Sequence, residues 1–317
     1  MSEGPAARVG TRGDEGGPAA AVPAPGGIDE GGHHWTFEAI GTQWRITTPD
    51  PLPERVRSAV STVIEDYDRA FSRFREDSLV TRMSRAAGTF ELPSCAAELL
   101  ETYERLGDLT HGAVNPLVGA SLVHLGYGPD YRLTPLPGHL PAPAWDEVVS
   151  REGSRLTTST PLTLDVGAVG KGQLVDLVVE EVLSHGVPVV LVDAGGDVAG
   201  VGPRRRVGLE DPQDPARVIG VVTSAGGAVC GSSTNRRTWA PGVHHVLDAR
   251  TGRPVRGVQA TWAAAPCAML ADAATTALFF EGPTRVSRAL GVDALVLGED
   301  RTAAWSGTGE RRWEVFA

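Results

Sequence analysis

Lysine is all but missing from this chain: of its 29 Lys and Arg residues, only Lys171 is a lysine. Cysteine is scarce too, at three (Cys95, Cys230 and Cys267), odd in number and far apart in the sequence. That pattern excludes a disulfide framework, and no pair has the spacing of zinc ligands. Long apolar runs are absent. Nothing approaches the roughly 18 residues that a membrane-spanning helix needs, which argues against stable membrane insertion. Positive charge is in deficit, 29 basic against 39 acidic residues for a net charge of −10, and this argues against a nucleic-acid partner. Residues 1–32 hold no apolar segment and carry Asp and Glu among Gly, Pro and Ala, unlike a signal or transit peptide. A cytoplasmic location is therefore expected.

What remains is an ordinary globular balance, 41% hydrophobic and 21% charged over 317 residues, enough for a sizeable core. Residues 1–32 read as a disordered Gly/Pro/Ala-rich tail, and 33–317 as one large globular unit. Alternation at Trp35, Phe37 and Ala39, then at Trp44 and Ile46, predicts a hairpin turning near Gly41. Leu52, Val56, Val60, Val63, Ile64, Tyr67 and Phe71 recur at three- and four-residue steps, the stripe of a helix packed on a core. A second helix is predicted over 96–106. The Gly- and Pro-rich stretch 110–143 reads as an ordered loop, a class that often binds ligands.

Further along, a strand at 162–166, a helix face from Leu174 to Leu183 and a buried strand at 188–192 read as one strand–helix–strand unit. More strands are predicted at 218–223, 244–247, 258–264 and 294–297. A helix over 268–280 lies among them, with Asp272 near its first turn. Interleaved strands and helices predict an α+β, or mixed α/β, architecture.

Four segments could carry chemistry. In DVGAVGKG (165–172), Gly167, Gly170 and Gly172 surround Lys171 and precede a helix. Such glycines let the backbone approach an anion, and the helix start offers free N–H groups. A compact ammonium fits between glycines where a planar guanidinium does not. The loop matches neither a Walker A motif nor a dinucleotide fingerprint, and a tight structural turn fits the same residues. Gly195, Gly196 and Asp197 close a buried strand, where ligands gather in such sheets, or where an Asp simply caps a turn. The segment GSSTNRR (231–237) leads to His244 and His245, which point to opposite faces if the segment is a strand. Asp272 and Thr276 lie four apart, on one helix face, and offer hard oxygen ligands for Mg²⁺. A helix cap with a buried threonine would look the same. Taken as a set, these residues point to a Mg²⁺-dependent enzyme acting on a nucleotide-like pyrophosphate.

The order of the segments resembles the FAD:protein FMN transferases of the ApbE type. The resemblance runs from Trp35 to Gly298 through IGTQW (40–44), FSRFREDS (71–78), THGAVNP (110–116), DVGAVGKG (165–172), AGGD (194–197), HHVLDARTGRP (244–254) and ADAATTALF (271–279). It implies an ApbE-like, T-fold-like arrangement of layered sheets with packed helices. It also implies a reaction: with Mg²⁺, the FMN part of FAD moves to a Thr or Ser hydroxyl of a flavin-carrier protein, and AMP is released. By similarity, Asp272, Thr276 and the carbonyl of Ala168 would hold Mg²⁺. Asp165, Lys171 and the 195–197 turn would contact FAD, with Ile40, Phe74 and the turn Ala113, Val114, Asn115 lining its pocket.

His245 is the expected acceptor of the hydroxyl proton, since an ordinary imidazole titrates near neutrality. Asp272 and His245 are thus the expected catalytic pair. A Mg²⁺-dependent FAD pyrophosphatase, or a non-catalytic FAD-binding protein, would use much of the same site. Several positions depart from the usual family pattern. Ile40 stands for Met, Val114-Asn115 for Phe-Asp, and Ala249 for the Pro after Asp248, while 232–235 lacks an aromatic residue. None of these removes an expected metal ligand.

Overall fold

A computed structural model of the chain describes residues 2–3, 7–8, 32–224, 226–307 and 312–316. The expected tail therefore lies mostly outside the described residues. Its two short described strands, Ser2–Glu3 and Ala7–Arg8, pair with Thr302–Gly307.

One large antiparallel sheet organises the rest. Its strands are β1 (His33–Ala39), β2 (Thr42–Thr48), β3 (Val190–Asp193), β4 (Asp197–Val201), β5 (Gly227–Ser233), β6 (Val258–Ala265), β7 (Asp293–Gly298) and β8 (Thr302–Gly307). Their order in space follows their order in the chain. Residues inserted between neighbouring strands thus emerge on the two faces, and the β2–β3 insertion, 49–189, contributes most of the helices. The mixed α+β expectation agrees with this architecture.

Period-two alternation divides the sheet's side chains between two cores. Along β6, Ala263 and Ala265 face the helices, whereas Ala260, Trp262 and Ala264 face the other way. On the first side lie α1 (Glu54–Phe71), α2 (Ala96–Leu109), α3 (Gly170–Ser184), α4 (Ala268–Ala277) and α5 (Pro283–Leu290). On the other side a small sheet of Arg205–Asp211, Asp214–Ser224 and Arg312–Val315 brings Val207, Leu209, Ile219 and Val222 to the second core. The layers are therefore helices, large sheet, small sheet.

The helix expected from the Leu52–Phe71 stripe is α1, with Val56, Val60, Ile64, Tyr67 and Phe71 buried. Helix α4 is nearly all buried and rich in alanine, which lets it lie close to α3. The expected hairpin is β1–β2, turning through Ile40 and Gly41 at φ 45° and 75°. A β-branched residue in the left-handed region is uncommon and marks a turn under constraint.

Three sequence expectations are corrected. No strand forms at 162–166. Leu162 N–H donates to Met83, in the short helix Leu79–Arg85, and Asp165 N–H to Pro116, in the 3-10 turn Pro116–Val118, so the segment's hydrogen bonds go to two separate elements instead of one ladder. The unit around α3 is therefore not strand–helix–strand; the strand preceding it, Arg155–Thr158, belongs to a separate three-stranded sheet. The single strand expected at 244–247 is split in two. Val243–His244 pairs with Thr238–Ala240, and Leu247–Asp248 with Arg253–Pro254. Asp272, the fifth residue of α4, lies near the first turn as expected. The three cysteines are free thiols, and no helix among the described residues is long and apolar enough to cross a membrane.

Candidate functional site

The helix starts of α3 and α4 and the ends of β3 and β5 surround a cavity of about 1140 Å³. That exceeds the roughly 300–1,000 Å³ of ordinary small-molecule pockets and suits an extended ligand.

Three oxygen donors converge on one side. Asp272 and Thr276 share a face of α4 and look towards the turn that precedes α3. Thr276 Oγ1 donates to the Ala168 carbonyl at 3.5 Å, and Gly172 N–H donates to Asp272 Oδ2 at 2.9 Å. Tyr103, reaching in from α2, pins that turn. Its hydroxyl donates to the Asp165 carbonyl and accepts from Ala168 N–H, each at 3.2 Å. The Asp272 carboxyl is pushed well above the usual carboxylate range, first by burial and then by the Asp197 charge. A cation placed beside it would reverse that shift. The donors are all hard oxygens, so the residues present fit Mg²⁺. Among the described residues no cluster of three or more His, Cys, Asp or Glu could hold a metal. The set that converges here is a hydroxyl, a carbonyl and one carboxylate.

Lys171 Nζ lies 2.5 Å from Asp197 Oδ2 and 3.4 Å from the Ala194 carbonyl. Burial alone would lower its pKa, but Asp197 and Asp272 outweigh burial and raise it. The ammonium thus stays charged. Asp197 itself does not line the cavity: its side chain is fully buried behind Lys171. The sequence expectation that Asp197 touches the ligand is corrected accordingly; it anchors the lysine. Gly195 and Gly196 do line the wall, at φ 66° and 109°. A Cβ on Gly195 would collide with the Thr42 hydroxyl.

At the other end, Phe74 stacks on Tyr131 (5.2 Å, 20°), and Tyr127 meets Phe74 edge-on at 5.4 Å and stacks on Trp239 (5.2 Å, 20°). Ile40, Ala113, Val114 and Asn115 also line the cavity. Both ends of the Asn115 amide are already engaged, Nδ2 with the Pro143 carbonyl and Oδ1 with Leu117 N–H. Asp165 accepts from Arg73 Nε at 2.6 Å and from Gly167 N–H at 2.8 Å. Burial would raise its pKa, yet the Arg73 guanidinium holds it below the usual range. Arg73 in turn lies over the Phe74 ring at 4.2 Å. Neither Arg73 nor the Tyr127–Tyr131 shelf was singled out from the sequence. Both lie inside segments that were, the FSRFREDS block and the loop expected to bind ligands.

His245 lines the cavity and its Nδ1 is enclosed without a hydrogen-bond partner. Burial, followed by the charge of Arg237, lowers its pKa to about 3, so it is neutral and far from the near-neutral value expected of it. This has a consequence for stability. In the unfolded chain His245 takes up a proton below about pH 6.5, whereas in the fold it stays neutral down to about pH 3. Stability contributed by the fold's neutral imidazole is therefore lost as pH falls through that window. His245→Asn is expected to reduce the stability difference between pH 7 and pH 5 by about 1–2 kcal/mol. Urea midpoints at the two pH values measure this; an unchanged difference contradicts it.

Comparison with known proteins covers most of the chain. The family model of the ApbE family matches residues 40–295. The FAD:protein FMN transferase of Klebsiella pneumoniae (strain 342) is 26% identical over 276 residues, covering 79% of each chain. That of Treponema pallidum (strain Nichols) is 28% identical over 305 residues, covering 83% of each. Among solved structures, the ApbE protein of Thermotoga maritima MSB8 superposes with a TM-score of 0.73 at 26% identity, covering 87% of this chain and 97% of that one. The flavin transferase ApbE from Vibrio cholerae, at 21% identity and a TM-score of 0.71 over 88% of this chain and 97% of its own, shares the fold.

Proposed function

The chain belongs to the ApbE family, and on that premise we propose that it moves the FMN portion of FAD to a Thr or Ser hydroxyl of a flavin-carrier protein, with Mg²⁺, releasing AMP. The observation that carries this reading is the meeting of Asp272, Thr276 and the Ala168 carbonyl beside Lys171, in a cavity of about 1140 Å³. Relatives across the family are named FAD:protein FMN transferase, which supports the same substrate.

The reaction replaces the phosphoanhydride bond of FAD by a phosphoester bond to the acceptor. The acceptor oxygen forms a bond to the FMN-side phosphorus, the bridge to the AMP phosphate breaks, and AMP leaves with that bridging oxygen. Mg²⁺ held by Asp272, Thr276 and Ala168 would supply charge neutralisation at the pyrophosphate. Lys171, fixed by Asp197, adds a second positive charge at the glycine turns. Arg237 lines the same cavity, and its charge faces the phosphates. The Phe74–Tyr131–Tyr127 shelf offers a stacking surface for a planar ring at the far end. His245 takes the proton of the attacking hydroxyl. Its pKa is low in the free protein, and the negative pyrophosphate beside Arg237 offsets that cation and makes the imidazole a stronger base.

Lys171→Arg tests the phosphate-binding part of this reading. The ammonium is confined between the Asp197 carboxylate and the Ala194 carbonyl, with α3 starting at Gly170. A guanidinium keeps the charge but not the shape. Loss of one charge-assisted contact is worth about 1.5–3 kcal/mol, so FAD affinity is expected to fall by roughly 10- to 100-fold. Wild-type affinity in that variant would make the single lysine a relic of composition.

A further inference from the structure

Helices α3 and α4 both begin at the site, and neither is capped by its own N-cap residue. Val169 and Cys267, at those positions, make no side-chain cap. The first free N–H groups of α4 are taken instead by α3: Ala268 N–H donates to Asp176 Oδ1 at 2.7 Å and Met269 N–H to Asp176 Oδ2 at 2.8 Å. In return, α4 takes a free N–H of α3, since Gly172 N–H donates to Asp272 Oδ2 at 2.9 Å. Each helix thus caps the other with an aspartate, and in each the aspartate lies four residues beyond the N–H it leaves to its neighbour (172 and 176, 268 and 272). Free helix N–H groups bind carboxylates well, so this double latch fixes both the separation of the helices and their rotation.

Asp176 does not line the cavity, and both its oxygens are taken by the first N–H groups of α4. We propose that Asp176 is a positioning residue of the transfer reaction, holding α4 so that Asp272 and Thr276 stay opposite the Ala168 carbonyl. With the Asp176 latch open, the start of α4 loses both of its bonds to the α3 carboxylate and can tilt about the Gly172–Asp272 bond. Both α4 donors then move together relative to Ala168, which Tyr103 holds in place. The proposal rests on the reading of these three residues as the cation site.

The test compares Asp176→Asn and Asp176→Glu with Val286→Ala, a cavity-forming change on α5 away from the site. Asparagine keeps the shape but offers one acceptor and turns its NH₂ group on the second N–H. Glutamate keeps the carboxylate but displaces it. The direct readout is Mn²⁺ binding to the FAD-free protein, followed by electron paramagnetic resonance; the second is the Mg²⁺ concentration that half-saturates AMP release. Residues that orient metal ligands typically affect affinity by about 10- to 100-fold. Asp176→Asn is expected to weaken Mn²⁺ binding at least tenfold and to raise the Mg²⁺ requirement in parallel, with metal-free FAD binding within twofold of wild type. Asp176→Glu is expected to fall between the two. Val286→Ala should lower Tm and leave Mn²⁺ affinity unchanged. Wild-type Mn²⁺ affinity in either folded Asp176 variant, whatever its Tm, overturns the proposal. If the wild-type protein itself needs no divalent cation to release AMP, the functional reading fails instead.

Discussion

Replacing Asp272 by alanine is expected to abolish cation-dependent AMP release while leaving FAD binding measurable. Asp272 is the one carboxylate among the three convergent donors. Without it the Thr276 hydroxyl and the Ala168 carbonyl, both neutral, face the cavity alone. A divalent cation at a reacting phosphate supplies several kcal/mol of charge stabilisation, so the rate should fall about 10³-fold or more. FAD affinity is expected to rest on other groups, namely Lys171, Arg237 and the aromatic shelf, and should fall far less. Fluorescence titration with FAD and an AMP assay across Mg²⁺ concentrations separate the two effects. Substantial Mg²⁺-dependent activity in Asp272→Ala would remove the metal assignment.

The second large effect is expected at Gly172. On helix propensity alone, alanine there should stabilise α3 by about 1 kcal/mol. Packing predicts the opposite. A Cβ at 172 would run into the Ala268 carbonyl and lie 2.7 Å from Asp272 Cβ. Neither obstacle is the far end of a flexible side chain. The helices would have to separate, at an overpacking cost of about 1–3 kcal/mol, and the Gly172 N–H bond to Asp272 would stretch with them. Packing therefore wins: Gly172→Ala is expected to lower Tm and to lose most Mg²⁺-dependent activity together. Calorimetry and the AMP assay measure both. A variant with raised Tm and full activity would show that the contact between α3 and α4 is looser than described.

The glycine requirement illustrates which features are legible in a sequence and which are not. The Gly-Lys-Gly turn, the four-residue spacing of Asp272 and Thr276, the β1–β2 hairpin and the α1 stripe are local patterns, each fixed by a helix or strand period. They could be read without coordinates. Which glycine touches which helix could not, because Gly172 and Asp272 meet across 100 residues. A separation of 92 residues likewise hid Arg73 from Asp165 and Asp176 from the start of α4.

The 162–166 segment has the alternation of a strand but no neighbouring strand to pair with; its two buried leucines, Leu162 and Leu164, make the pattern. Asp197 sits at the end of a turn that faces the cavity, yet its carboxylate is buried against Lys171. His245 has the residue type of a base, and only its surroundings reveal how far burial and Arg237 shift it. Local periodicity located the elements. Side-chain roles depended on contacts between segments far apart in the chain.

Transfer of FMN to a protein hydroxyl ties cleavage of FAD to modification of the acceptor. Its most direct test is incubation of the purified protein with FAD and Mg²⁺, with and without a flavin-carrier domain bearing an acceptor threonine. AMP is quantified and the intact mass of the carrier is recorded. The account predicts AMP release that depends on the carrier, matched mole for mole by a rise in carrier mass equal to covalently bound FMN. Equal AMP and free FMN without carrier, and no change in carrier mass, would make the protein a hydrolase and contradict the account.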